Sequence, residues 1–238
     1  MLLIFDDDRP SDSRFVERVW RSHSERDGSF SSMAESRWEM VVTRRRGETF
    51  LTVRGPETRA TSLDCSADGE WLGIRFALGT IMPHLTASAL VDGGLNLPEA
   101  SRRSFWLHGV AWEFPTYDNA DTFVDRLVRE GLLIREPVVE AALAGELSER
   151  SLRTAQRRIL RATGLTHSVI RQIERARYAT LLLRQGVSIV EVTHAAGYFD
   201  QPHLTRALRY FIGQTPAQLM DERRSGQLSF LYKTQPLP

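Results

Sequence analysis

Cysteine occurs once in the 238 residues, at Cys65. A single thiol excludes an internal disulfide and any zinc site built on cysteine pairs, and it fits a reducing compartment. A lone Cys can sense redox state but is more often a small core residue. Lysine is almost missing too: Lys233 is the only one, so cationic work falls to arginine. No run approaches the ~20 apolar residues of a membrane helix. The start, Met1–Phe5, is too short for a secretory leader and is followed by Asp6, Asp7 and Asp8. No membrane partner and a cytoplasmic location are therefore expected. Glycine-rich phosphate loops, a nucleophile elbow and the Gly-x-Gly of a dinucleotide site are all missing. No catalytic residue is assigned, no cofactor is implied, and an enzyme is not expected. His23, His84 and His108 are dispersed without ligand spacing, so no metal site is expected.

What is present is an ordinary globular composition with an uneven charge distribution. The formal net charge is only +1. From Val138 onward, however, thirteen Arg and one Lys face eight carboxylates, and the preceding part carries a surplus of five anions. A polyanion partner would therefore bind the back half. The Arg44-Arg45-Arg46 run reads as a solvated hairpin tip rather than a nucleic-acid contact.

Residues 1–115 read as mostly β. Strands are expected at 15–20, 38–43, 49–53, 58–63 and 71–76, with a hairpin loop at 44–48. Gly55-Pro56, Asp68-Gly69 and Asp92-Gly93-Gly94 punctuate them as turns, and 81–89 is a candidate short helix. Many short strands with turns between them suggest a barrel or sandwich. All five Trp lie in this half. Trp38, Trp71, Phe76, Trp106 and Trp112, with Met82, are candidates for a ligand pocket or simply for the core. Residues 116–137 form a junction. A helix at about 121–130, capped by Asn119 or Asp121, shows Phe123, Leu127 and Val128 on one face. It could belong to the back half or mediate dimer contacts.

The most informative stretch is 188–219. Ile189, Val192 and Ala196 recur at helical spacing over 188–196, and Gly197 supplies a turn. Asp200 or Gln201 can cap a second helix, with Pro202 in its first turn. Leu204, Leu208 and Phe211 form its buried stripe, Gly213 ends it and Pro216 opens another short helix. Two short helices with Arg, Gln, His and Thr exposed on the second are the parts of a helix-turn-helix.

An internal repeat supports this reading. At an offset of 49, Val192 falls on Leu143, Ala196 on Leu147, Asp200 on Ser151, Leu204 on Ala155, Arg206 on Arg157, Leu208 on Ile159, Gly213 on Gly164 and Thr215 on Thr166. Ser148 replaces the turn glycine, and Gly145 sits inside the expected helix. Between the copies, 167–185 reads as one long helix. Its stripe is Ile170, Ile173, Ala176, Arg177 and Leu181, and Gly186 is its stop.

Ser188, Ile189, Val192, Ala196, Gly197, Tyr198, Asp200, Gln201, His203, Leu204, Arg206, Phe211, Gly213, Thr215 and Pro216 together resemble the AraC family of transcription regulators. Tyr198, Leu204 and Leu208 stand at usual Phe positions, His194 at a small one, and Pro202 where a polar or aromatic residue is usual. The resemblance implies an α+β chain: a β-rich sensor-like domain (1–115), the junction (116–137), a double helix-turn-helix domain joined by a long helix (138–224) and a polar tail (225–238). The front half departs from the sugar-binding members. Its FVERVWRS, RWEMVV, VRGP and LGIRFALG segments look more like another sensor type within the family.

By the same resemblance, base-reading positions map onto Arg153, Gln156 and Arg157 in the first unit. In the second they map onto Pro202, His203, Thr205 and Arg206, with Gln201 nearby. Arg can bond O6 and N7 of guanine, and Gln can pair with adenine. Arg158, Arg161 and Arg209 flank the helices and are assigned to phosphate. The implied partners are double-stranded DNA, a small-molecule effector, RNA polymerase and a second copy. Two rival readings remain. One is a protein-interaction module on a DNA-binding domain. The other is an alkyl-transfer repair enzyme, for which Cys65 supplies none of the motif.

Overall fold

The structure, a computed structural model, describes residues 3–143, 145–146, 149–221 and 228. A β-rich N-terminal region is followed by a helical C-terminal region, α+β overall. The strands are β1 (Leu3–Pro10), β2 (Val16–Ser24), β3 (Gly28–Ser32), β4 (Glu39–Arg45), β5 (Glu48–Arg54), β6 (Thr61–Cys65), β7 (Glu70–Phe76), β8 (Thr80–Ile81), β9 (Gly94–Asn96), β10 (Glu99–Ser101), β11 (Ser104–Leu107), β12 (Val110–Glu113) and β13 (Ile134–Arg135). The helices are α1 (Ala120–Arg129), α2 (Pro137–Leu143), α3 (Glu149–Thr163), α4 (His167–Arg184), α5 (Ile189–Ala195), α6 (Gln201–Phe211) and α7 (Pro216–Met220).

The main sheet has six antiparallel strands in the order β1-β2-β7-β4-β5-β9. Smaller sheets pair β3 with β6, β11 with both β10 and β12, and β8 with β13. Sequence patterning missed β1. Asp6, Asp7 and Asp8 read as a polar start, but on an edge strand they can meet cations across the ladder. Asp8 pairs with Arg18, Asp7 with Arg21 and Asp6 with His23 on β2. The expected loop at 44–48 shrinks to Arg46-Gly47. Both residues have positive φ, the geometry of a two-residue hairpin turn. The candidate helix at 81–89 is only a 3-10 turn at Ala87–Ala89. At the sheet's centre Gly73 leaves room for the Trp20 ring, which lies where a Cβ would stand.

The junction helix packs with the β-rich region and not with the helical one. Phe123, Val124 and Leu127 of α1 enter the core of the β-rich region with Trp112, Phe105 and Leu107. Phe123 meets the Trp112 ring edge-on at 5.9 Å, and Arg126 lies 4.4 Å over that ring. Its apolar face is thereby used up inside its own half. The chain then pairs Ile134 and Arg135 with Ile81 and Thr80 before Pro137 opens α2.

The helical region closes around α4. Ile170, Ile173, Ala176, Ala179 and Leu183 are buried against α5, α6 and α7 on one side and α2 and α3 on the other. Met33 and Ala34 of the β-rich region belong to the same core, so the two halves share packing.

Candidate DNA-binding surface and the interface behind it

The second unit is set by local chemistry. Ser188 and Glu191 form a reciprocal capping box at the start of α5. Gly197 takes φ 67° in the turn. The Asp200 carboxylate accepts from the His203 backbone N–H at 2.6 Å, capping α6. Thr215 and Gln218 form a second capping box on α7. Leu204 and Leu208 are fully buried. That leaves Gln201, Pro202, Arg206 and Arg209 exposed, while His203 and Thr205 are half-buried. The Tyr198 ring holds the His203 ring edge-on at 5.2 Å and lies under Arg175 at 4.4 Å.

The first unit follows the repeat with one displacement. Helix α2 stops at Leu143 and Gly145 takes φ 73°, so the turn begins at Gly145 and not inside a helix. The Glu146 N–H closes back on the Ala141 carbonyl. Ser148, Leu147 and the Ser151 side chain, the expected turn and cap, lie outside the described residues, as does the 225–238 tail apart from Leu228. On α3, Ala155 and Ile159 are buried, and Arg153, Gln156, Arg157, Arg158 and Arg161 are exposed. Arg158, expected at phosphate, is paired with Glu136 at 2.6 Å.

Two exposed cationic helix faces, each on the second helix of a helix-turn-helix, are joined through α4. Residues 146–222, about a third of the chain, match a family model described as a helix-turn-helix domain. This segment is an AraC-type helix-turn-helix domain. The AraC-type domain marks the chain as a DNA-binding transcription regulator. No curated protein and no solved structure matches the chain. Among the described residues no helix is long and apolar enough to cross a membrane.

Behind the AraC-type domain lies a buried charged interface that sequence reasoning missed. Glu174 and Arg177 of α4 are 4% and 2% exposed. Arg37 reaches Glu174 at 2.6 Å and Glu17 at 2.8 Å, and Ser36 donates to Glu174. Arg75 and Arg177 converge on the same Glu35 oxygen at 2.8 and 3.2 Å. Arg177 also donates to the Ala34 carbonyl at 3.0 Å. Burial alone would raise the Glu35 carboxyl, but Arg177, Arg75 and Arg37 outweigh it and hold the group at about 2. Burial likewise opposes the Arg37 charge, and the surrounding carboxylates override it and raise its value. Glu17, facing Arg37 alone at close range, is raised by burial. One signal could have found this interface: Arg177 sits in an otherwise apolar helical stripe, where a buried cation needs a partner.

The aromatic candidates do not share one cavity. Trp71, with Phe5, Trp20 and Phe30, lines a cleft of about 190 Å³ floored by Glu35, Arg75 and Arg177. Trp38 and Met82 line a separate cavity of about 460 Å³. Phe76 stacks on Trp38 at 4.1 Å but is itself core. Trp112 is core, and Trp106 is half-exposed on β11. Cys65 is buried, and burial pushes its thiol up. His84 and His108, far apart in sequence, meet with ring centroids 5.1 Å apart, and burial followed by the His108 charge lowers His84.

Proposed function

We propose that the chain is a sequence-specific regulator whose α3 and α6 read two segments of one DNA face while its β-rich region senses a small molecule. The observation that supports dual reading is the equivalence of α3 and α6. Each is the second helix of its unit, with Arg157 and Arg206 at matching, exposed positions. One turn of B-DNA spans about 34 Å, the spacing at which paired units meet successive major grooves. Arg153, Gln156 and Arg157 are the proposed base readers of the first unit, and Gln201, His203, Thr205 and Arg206 of the second. Arg161 and Arg209 are proposed to hold phosphate. The proposed division of the chain falls near Pro137, since α1 packs with the β-rich core.

Selection of bound fragments from a random DNA pool by the full chain tests this reading. The expected result is a motif of two short elements about one helical turn apart. Enrichment of a single element would refute dual reading, and no enrichment at any salt concentration would refute sequence specificity.

A further inference from the structure

The 460 Å³ cavity lies between the two halves of the molecule. One wall is apolar and comes from the β-rich region: Trp38, Ile81, Met82, Leu85 and Leu90. The opposite wall is the C-terminal half of α3, which presents Arg158 and Arg161. The volume falls within the ~300–1,000 Å³ of small-molecule sites, which typically pair apolar walls with a few placed polar groups. The charges are not equivalent. Glu136, also in the lining, neutralises Arg158. Among the described residues no carboxylate pairs with Arg161. One cation therefore remains against a hydrocarbon wall. Polar groups such as the Trp38 indole N–H and the Thr163 hydroxyl are already used, on the Thr80 and Ile159 carbonyls.

From this geometry we propose that the cavity binds a monoanionic amphipathic molecule, a carboxylate on an apolar aryl or alkyl body, with its charge on Arg161. Arg161 is also the proposed phosphate contact of the first unit, so ligand and DNA compete for one guanidinium. By linkage, the acid weakens DNA binding by the same factor as DNA weakens acid binding. Beside the cavity, α3 also fits closely against the β-rich region. A Cβ on Gly164, just past α3, would stand 2.7 Å from Val91 and 2.9 Å from the Ala87 carbonyl. That this acid is the regulator's effector rests on the regulator reading, but the binding itself does not.

The test is calorimetric titration of the full chain, without DNA, with a panel of aryl- and alkyl-carboxylates of six to twelve carbons, each beside its matched neutral alcohol. Saturable binding of at least one acid is expected, at least tenfold tighter than its alcohol. Arg161→Gln, an exposed change that should leave the melting curve intact, is expected to lose at least tenfold in acid affinity. Thr86→Trp, which narrows the cavity from an exposed position, is expected to abolish binding. No binding by any acid, equal binding of acid and alcohol, or an unaltered Kd in Arg161→Gln overturns the site. DNA affinity unchanged at saturating acid overturns the competition for Arg161. Loss of DNA binding with acid binding intact would count against the regulator reading alone.

Discussion

The two helix-turn-helix units share a pattern but are attached to the rest of the molecule differently. The second is held through its backbone: the Ala34 N–H donates to the Phe211 carbonyl at 2.7 Å, and the Ala60 N–H donates to the Tyr210 carbonyl at 2.9 Å. The first is tied by backbone only at its entry, where the Glu136 N–H donates to the Gly79 carbonyl at 2.8 Å; its α3 is held by side chains around a cavity, by Arg158 on Glu136 and by packing on the 3-10 turn at Ala87–Ala89. One sequence motif, used twice, thus has two kinds of attachment.

The largest expected effect comes from breaking what anchors α4, on which both units rest. Arg177→Met removes one of two cations on the shared Glu35 oxygen and empties the bond to Ala34. A loss of about 3–5 kcal/mol is expected from urea unfolding, and a loss below about 1 kcal/mol would mean that the charges do not anchor the helix. The same anchor responds to acid. Glu35 lies far below its ordinary 4.5, so its contribution is complete above that pH and disappears as pH falls toward about 2. That amounts to about 3 kcal/mol, partly offset by Glu17, whose raised value works in the opposite direction. Unfolding curves between pH 6 and 3 check this, and a flat profile would contradict it.

The glycines give a finer comparison, since Gly164 and Gly213 are equivalent in the repeat and both have positive φ. Each loses about 1 kcal/mol on change to Ala for conformation alone. Gly164→Ala should lose about 1–2 kcal/mol more, because its Cβ meets the Ala87 carbonyl at 2.9 Å, whereas that of Gly213 meets the Ala60 methyl at 3.2 Å and Ser31 at ordinary contact distance. Equal melting shifts would remove this distinction between the two attachments. For DNA, Arg157→Ala and Arg206→Ala should each cost about 1–3 kcal/mol on the selected site and little on scrambled DNA. Competition binding measures both, and equal losses on both DNAs would refute base reading. The smallest effect expected is that of Asp200→Ala, about 1 kcal/mol from the lost cap on α6, read from thermal unfolding.

The helical half was legible because its signals are local. Caps, stops and apolar stripes at Asp200, Gly213, Leu204 and Leu208 act within a few residues, and the offset of 49 exposes the second copy. The start of the first unit was legible only in part, since Gly145 stands at positive φ beyond the end of α2 where the repeat put it inside a helix. In the β-rich half, β1 was hidden because three consecutive aspartates resemble a loop until arginines on β2 are placed across from them. The interface was hidden for a more general reason. Arg177 and Ala34 are 143 positions apart, and nothing local says which acid meets which base. The sequence did place Trp38 and Trp71 among pocket candidates, but it could not divide them between two cavities or bring α3 to one of them.

The strip Ala34-Glu35-Ser36-Arg37 has a consequence for modularity. Helix α4 sets the spacing between the two readers, yet among the described residues its Glu174 and Arg177 find their partners on that strip alone. A reader transplanted without the strip would open to water the apolar surface that Met33 and Ala34 now cover, so it would associate with other chains or repack. The recognition half of this protein is not a detachable cassette: any sensor exchanged onto it must bring its own complementary strip.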